Sequence, residues 1–109
     1  MALVIKERNS GDVIASGYEE DDSIRYLEGC WYYKPDCVDM THLVVTDRTY
    51  TCPYKGICYW IDLETSETQV RNVAFVYRQP MDGYEYIEDR IAFYARDTSG
   101  TIACEEISA

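Results

Sequence analysis

The stretch LVIKERNSGDVIAS, residues 3–16, carries the pattern that decides the fold. Its first part, from Leu3 to Arg8, places successive side chains on alternate faces, which predicts a strand. The Asn-Ser-Gly-Asp run at 9–12 is a turn signal, because these residue types satisfy or tolerate turn backbone geometry. Residues 13–16 would then return as the second arm of a β-hairpin.

Short apolar runs separated by turn residues continue along the chain. Further strands are predicted at 24–27, 31–33, 43–46, 57–63, 73–77, 84–87, 90–96 and 101–105. We expect residues 31–33 to continue the strand 24–27 after a bend at Gly29, and the last strand to close a terminal hairpin. Residues 36–40 predict one helical turn, and 47–56 an ordered loop.

These runs predict a mostly β fold of coiled antiparallel sheets, β-tent-like or barrel-like, because no window has a helical apolar stripe longer than two turns. With 109 residues and no long linker, the chain predicts a compact single domain, 1–109.

The chain is acidic. Twenty Asp and Glu oppose ten Lys and Arg, for a formal net charge of −10, and the basic residues are scattered singly. A nucleic-acid binder needs a basic face that displaces counterions from phosphates. We therefore expect no nucleic-acid partner and no anionic membrane surface. The simplest interpretation of the charge is solubility.

The cysteines favour a reducing, cytoplasmic location. The chain has five, an odd number, at irregular spacing, and its first residues do not resemble a signal peptide. Their spacings do not match structural zinc sites, so no metal is expected. Phosphate-binding and dinucleotide motifs are also lacking, so no cofactor is predicted.

The aromatic composition predicts that several tyrosines lie at a boundary between the apolar core and water. Eleven tyrosines accompany two phenylalanines, although phenylalanine fills a core without needing a hydrogen-bond partner. Several tyrosines should therefore lie at a pocket wall or a subunit interface. For any single tyrosine, a strand face with its hydroxyl in water is the simpler interpretation. The candidate wall residues are Trp31, Tyr33, Tyr59 and Trp60.

The segment TCPYKG, residues 51–56, is the one local motif with chemical content. Pro53 and Gly56 shape its backbone, and Cys52 lies three residues from Lys55. A nearby ammonium lowers a thiol pKa, which would suit a nucleophile or a redox thiol. The simpler interpretation is a buried cysteine beside a tight turn. His42 is the only histidine that could serve as base, and the sequence does not show whether it reaches Cys52.

The motif resembles that of a known family, the domain of unknown function 427. Besides residues 52–56, the segments EGCWYYKP at 28–35, NVAFVY at 72–77 and IAFY at 91–94 resemble its pattern in the same order, over about 13–94. The resemblance implies a β-tent-like domain of coiled antiparallel sheets. A nucleotidyltransferase label is attached to the family, but the chain lacks a phosphate loop and a metal-binding aspartate pair. Members often have histidine where this chain has Thr51.

Three functions follow as hypotheses. The first is small-molecule binding in an aromatic-walled pocket beside the Cys-Pro-Tyr-Lys-Gly loop. The second is an enzyme that uses Cys52 as nucleophile or redox thiol, tuned by Lys55. The third is a protein-interaction module, such as a homodimer, whose tyrosines line the interface. Whether the chain is an enzyme is left open.

The first hypothesis makes a positional prediction. A rigid loop with Cys52, Tyr54 and Lys55 should border the main pocket, and one or more of the candidate aromatic residues should form a wall. Strand alternation sends Tyr59 and Trp60 to opposite faces, so at most one of the two can face that pocket.

Overall fold

The structure is a computed structural model that describes residues 1–107. Within them, two sheets account for nearly all the regular structure. The strands are β1 (Ala2–Glu7), β2 (Val13–Gly17), β3 (Ile24–Leu27), β4 (Cys30–Tyr33), β5 (Leu43–Cys52), β6 (Gly56–Glu64), β7 (Gln69–Tyr77), β8 (Ile91–Tyr94) and β9 (Thr101–Glu106). Helical structure among the described residues is limited to 3-10 turns at Pro35–Cys37 and Glu85–Ile87.

The smaller sheet has the strand order β2-β1-β9. The hairpin predicted from residues 3–16 is confirmed, since β1 and β2 pair antiparallel. The predicted terminal hairpin is wrong. β9 pairs instead with β1, from Ala2↔Glu106 to Glu7↔Thr101, so the two ends of the chain lie side by side.

The larger sheet has the order β3-β4-β8-β7-β6-β5, and every pairing in it is antiparallel. The prediction of a mostly β fold is therefore confirmed. In the described part of the chain both sheets are open, with β3 and β5 at the edges of the larger one, so the barrel-like alternative is not what forms.

Gly29 lies in a turn that reverses the chain direction, and not at a bend within one continuous strand. β3 and β4 form a hairpin whose turn residues, Glu28 and Gly29, have φ angles of 52° and 80°. Glycine adopts this left-handed geometry without steric cost. The predicted continuation of 24–27 into 31–33 is therefore wrong, because positive φ values at the turn reverse the chain.

The motif TCPYKG also lies on a hairpin. β5 extends to Cys52, so the predicted loop at 47–56 is wrong over most of its length. The turn occupies 53–55, and Gly56, at φ 109°, begins β6. The pairing of β5 with β6 is irregular in the middle of β5. Val45 pairs with Ile61 and the next pair is Thr49 with Tyr59, so β5 has more residues than β6 between the two pairs.

The predicted strand at 84–87 is also wrong, because these residues form a 3-10 turn with Ile87 fully buried. Its backbone bonds within the turn, from the Ile87 N–H to the Tyr84 carbonyl. A short apolar run does not by itself distinguish a strand from a buried turn.

The main core lies between the two sheets. Leu3, Ile5 and Ile14 of the smaller sheet pack against residues of the larger one such as Ile61 and Phe93. A second apolar cluster lies on the opposite face of the larger sheet. Among the described residues, no helix is long and apolar enough to cross a membrane.

Candidate functional site

The second cluster, here called the aromatic face, occupies the side of the larger sheet that faces away from the main core. Strand alternation brings its side chains together from neighbouring strands, as the pairs Tyr32↔Ala92, Ala92↔Phe75 and Phe75↔Trp60 show. Its buried members are Cys30, Tyr32, Cys58, Phe75, Tyr77, Ile87 and Ala92, and its half-buried margin is Leu27, Cys52, Trp60, Tyr84 and Tyr94.

Phe75 is the centre of the aromatic face. Its ring makes edge-to-face contacts with the rings of Tyr32, Trp60, Tyr77 and Tyr94, at centroid distances of 5.7–6.1 Å. This geometry places the positive edge of one ring against the negative face of another. The result is a rigid aromatic surface whose half-buried rings, Trp60 and Tyr94, are accessible at its margin.

Lys55 reaches back from the β5–β6 turn onto this face. It is only 7% exposed. Its ammonium lies 3.2 Å from Glu28 Oε2 and 5.7 Å from the centre of the Tyr77 ring. The side chain of Glu28 is 61% exposed. The carboxylate of Glu28 and the ring of Tyr77 together hold this side chain in place.

Three of the five free cysteines belong to the aromatic face: Cys30, Cys52 and Cys58. Burial raises the pKa of the Cys30 thiol, with Lys55 and Arg96 acting in the opposite direction. Burial likewise raises the pKa of Cys58. The buried thiols are therefore protonated at neutral pH, which makes them poor nucleophiles.

The predicted site residues separate onto different faces. Cys52, Lys55 and Trp60 converge on the aromatic face, whereas Trp31, Tyr33 and Tyr59 pack against the main core. Tyr59 and Trp60 point to opposite faces, as strand alternation requires. Tyr33 is fully buried, so it lines no pocket. Tyr54, at the tip of the turn, is 72% exposed.

A cleft of about 560 Å³ lies at the β3–β4 turn, and we call it the hairpin cleft. Its lining residues are Tyr26, Glu28, Gly29, Cys30, Trp31, Tyr94, Ala95 and Arg96. Of the residues predicted from sequence, only Trp31 lines it. Lys55 contacts it through Glu28, and the cleft meets the aromatic face at Cys30 and Tyr94.

Tyr26, Tyr94 and Arg96 were missed by sequence reasoning, because each comes from a different strand or loop. Only the pairings β3–β4 and β4–β8 bring them together. The Arg96 guanidinium lies over the Tyr94 ring at 4.8 Å. An Arg two residues after an aromatic strand end is too common a pattern to have signalled this contact.

A second cleft, also of about 560 Å³, lies between the sheets, and we call it the inter-sheet cleft. Its polar rim includes Glu7, Asp39 and His42. Two of these groups, Glu7 and Asp39, already accept hydrogen bonds within the chain. Glu7 accepts bonds from the backbone N–H groups of Asn9 and Ser10, and Asp39 accepts bonds from Thr41. The bonds from Thr41, with the nearby His42 adding to them, lower the pKa of Asp39.

His42 does not serve as a base for Cys52. It immediately precedes β5, and Cys52 is the last residue of that strand. At about 3.3 Å per strand residue, and allowing for the irregular segment, the two lie roughly 25 Å apart. The histidine belongs to the inter-sheet cleft and the thiol to the aromatic face.

Within residues 1–107, no group of three or more His, Cys, Asp or Glu side chains is arranged to hold a metal ion. The arrangement at the hairpin cleft is suited to binding, since its lining offers aromatic side chains, the Arg96 guanidinium and the Glu28 carboxylate.

Comparison with known proteins gives one family. The sequence pattern of the family described as "Domain of unknown function (DUF427)" matches residues 21–103. The match includes both hairpins that form the aromatic face and the hairpin cleft. No curated protein matches the chain.

Proposed function

This chain belongs to the DUF427 family, and we propose that it is a small-molecule binding protein whose site is the hairpin cleft. The observation that carries the proposal is the composition of the cleft wall. Three of its eight lining residues are the aromatic Tyr26, Trp31 and Tyr94, and charged side chains stand at its rim. Ligand sites typically combine an apolar, aromatic lining with a few placed polar groups.

The size of the cleft supports this function. A volume of about 560 Å³ falls within the range of roughly 300–1,000 Å³ typical of small-molecule pockets. The aromatic face behind Tyr94 is rigid, because Phe75 locks four rings together. A preformed wall lowers the entropic cost of binding, because fewer side chains must be ordered when a ligand enters.

Binding is favoured over covalent catalysis by Cys52. That hypothesis needs a base, and the single histidine lies at the far end of β5. Lys55, the other candidate catalytic residue, is engaged with Glu28 and the Tyr77 ring, so it cannot also serve Cys52 as a free base. The free thiols are consistent with a cytoplasmic location, which we retain as part of the proposal.

Between the two clefts, the choice follows from the aromatic content of the lining. The described residues that line the inter-sheet cleft include no Phe, Tyr or Trp, whereas Tyr26, Trp31 and Tyr94 line the hairpin cleft. Aromatic side chains are characteristic of small-molecule sites.

The test is a thermal-shift screen of flat small molecules followed by tryptophan fluorescence. A ligand at 100 times its Kd should stabilise the protein by about 2.7 kcal/mol. Two variants with one tryptophan each locate the binding. In Trp60→Phe the remaining Trp31 lines the cleft, and a ligand there should quench it strongly.

In Trp31→Phe the remaining Trp60 is separated from Tyr94 by Phe75, so quenching should be weaker. Hits that stabilise the protein and leave Trp31 fluorescence unchanged would place binding elsewhere, and the proposal would be rejected.

A further inference from the structure

We propose that the ligand of the hairpin cleft is a small organic monoanion, a molecule whose carboxylate is bound by Arg96 on the side of the cleft that Tyr94 forms. This inference rests on the proposed function and names the chemical class of its ligand. Tyr94 pairs with Cys30 on the aromatic face, whereas Trp31 faces the main core. The carboxylate therefore lies on the Tyr94 side of the cleft alone.

The first argument is the charge balance of the cleft. Its lining contains two charged side chains, Glu28 and Arg96. The Glu28 carboxylate forms an ion pair with the buried Lys55 ammonium at 3.2 Å, so its charge is offset. Arg96 takes part in none of the ion pairs formed within residues 1–107. The cleft therefore carries one uncompensated positive charge, which attracts an anion.

The acidic residue next to Arg96 in sequence is engaged elsewhere. Asp97 follows Arg96 directly, but its Oδ1 accepts a hydrogen bond from the backbone N–H of Ala103 on β9 at 3.2 Å. This bond holds the Asp97 carboxylate at the edge of the smaller sheet. An incoming anion therefore does not have to displace this carboxylate from the guanidinium.

The second argument is that a neighbouring ring restrains Arg96 and leaves its hydrogen-bond donors available. The guanidinium carbon lies 4.8 Å from the centre of the Tyr94 ring. That ring packs edge-to-face on Phe75, with centroids 6.1 Å apart. A cation–π contact restrains a guanidinium without using its N–H donors. A carboxylate can then accept two parallel bonds from it, and binding costs less entropy because the side chain is already restrained.

The third argument concerns the size of the charge on the ligand. Arg96 contributes a single positive charge, and the chain as a whole carries −10. A phosphate monoester carries about −1.5 to −2 at neutral pH, so it would bring unmatched negative charge to an acidic protein. A carboxylate carries a single charge and has the planar pair of oxygens that matches a guanidinium. The site therefore favours a carboxylate over a phosphate.

The experiment measures the affinity of three probes that share one ring system, 2-naphthoate, 2-naphthamide and 2-naphthyl phosphate, by isothermal titration calorimetry. We expect the wild-type protein to bind naphthoate about threefold to tenfold more tightly than naphthamide, because a charged contact at an exposed arginine contributes modestly. Naphthyl phosphate should bind no more tightly than naphthoate. The preference for naphthoate over naphthamide should shrink as salt screens the charges.

Three variants test whether Arg96 is the group that binds the carboxylate. Arg96→Gln removes the charge and should abolish the preference for naphthoate while naphthamide still binds. Arg96→Lys keeps the charge without the planar fork and should keep only part of the preference. Arg71→Gln is the matched control, because Arg71 is an exposed arginine outside the cleft lining, and it should leave the preference unchanged.

The outcomes distinguish this inference from the proposed function. Equal affinity of the wild type for naphthoate and naphthamide, tighter binding of naphthyl phosphate, or a preference that survives Arg96→Gln overturns the inference and leaves the binding function standing. The same holds if none of the three probes binds while another ligand quenches Trp31. If no ligand quenches Trp31, the proposed function itself fails, and the inference fails with it.

Discussion

The hydroxyl of Tyr33 donates a hydrogen bond to the backbone carbonyl of Leu3 at 2.8 Å, and this bond joins the two sheets through the main core. Tyr33 is fully buried on β4, and Leu3 lies on β1. Burial raises the pKa of the Tyr33 hydroxyl, so it remains protonated and able to donate. A tyrosine expected at a pocket wall is in fact a link between sheets.

Tyr33→Phe should lower the free energy of unfolding by about 1–2 kcal/mol, because the Leu3 carbonyl loses a buried partner. Urea denaturation measures the effect. Tyr54→Phe is the matched control, since Tyr54 is 72% exposed and should change stability by less than about 0.5 kcal/mol. Equal stability of both variants would mean that the bond contributes nothing to sheet association.

Gly17→Ala should destabilise the protein by about 1–3 kcal/mol through overpacking. A Cβ at Gly17 would lie 2.9 Å from Ser23 Cβ and 3.0 Å from Ile24 Cγ1. The neighbouring Ser16 is exposed, so Ser16→Ala should be close to neutral. Thermal unfolding of the two variants tests this, and a Gly17→Ala protein as stable as the wild type would show that the start of β3 can move aside.

Thiol reactivity should divide the five cysteines into two groups. In the native protein a thiol-disulfide reagent should modify Cys37, Cys52 and Cys104, which are half-buried, much faster than the buried Cys30 and Cys58. Reactivity needs an accessible thiolate. The denatured, unreduced protein should show five free thiols. Uniform reactivity in the native state, or fewer than five thiols after denaturation, would contradict this.

Stability should fall in alkaline solution. Burial raises the pKa of Cys58 above its ordinary 9.0 and that of Tyr77 above its ordinary 10.0. Above those values the unfolded chain loses protons that the folded chain keeps, so ionisation favours unfolding. The stabilisation is complete below about pH 9 and is lost as pH rises further.

Urea midpoints measured between pH 7 and pH 11 test this expectation. Tyr77→Phe should flatten the decline, because its phenol no longer ionises in the unfolded chain. Tyr54→Phe, at an exposed position, should leave it unchanged. A midpoint that stays constant to pH 11 would contradict the prediction.

The fold class followed from the sequence because strand alternation and turn residues are local signals. The β1–β2 hairpin illustrates this, since 9–12 alone specify its turn. The pairing of β9 with β1 did not follow, because it joins residues about a hundred positions apart in the chain. The strand over 47–52 was also missed, because its side chains are mostly polar or exposed at the sheet edge.

The site was predictable only in part for a related reason. Alternation correctly separated Tyr59 from Trp60, whereas a role for Lys55 in a site stays a prediction. The walls of the hairpin cleft come from β3, β4 and the end of β8, and no local pattern indicates that these strands are neighbours. Which face of a strand meets the core depends on the partner sheet, so Tyr33 could not be assigned from sequence.

The irregular segment of β5 bears on whether a second copy of the chain can add a strand to this sheet edge. A straight edge strand of ten residues with exposed Val44, Val45 and Tyr50 would be a template for a second copy to add its own strand, and then a third. Between Val45 and Thr49 the ladder loses its regular register, and the exposed Asp47 lies there. A strand added by a second copy would have to match this irregular backbone, and its own carboxylates would come close to Asp47. We therefore expect the distortion to hinder strand addition at this edge of the larger sheet.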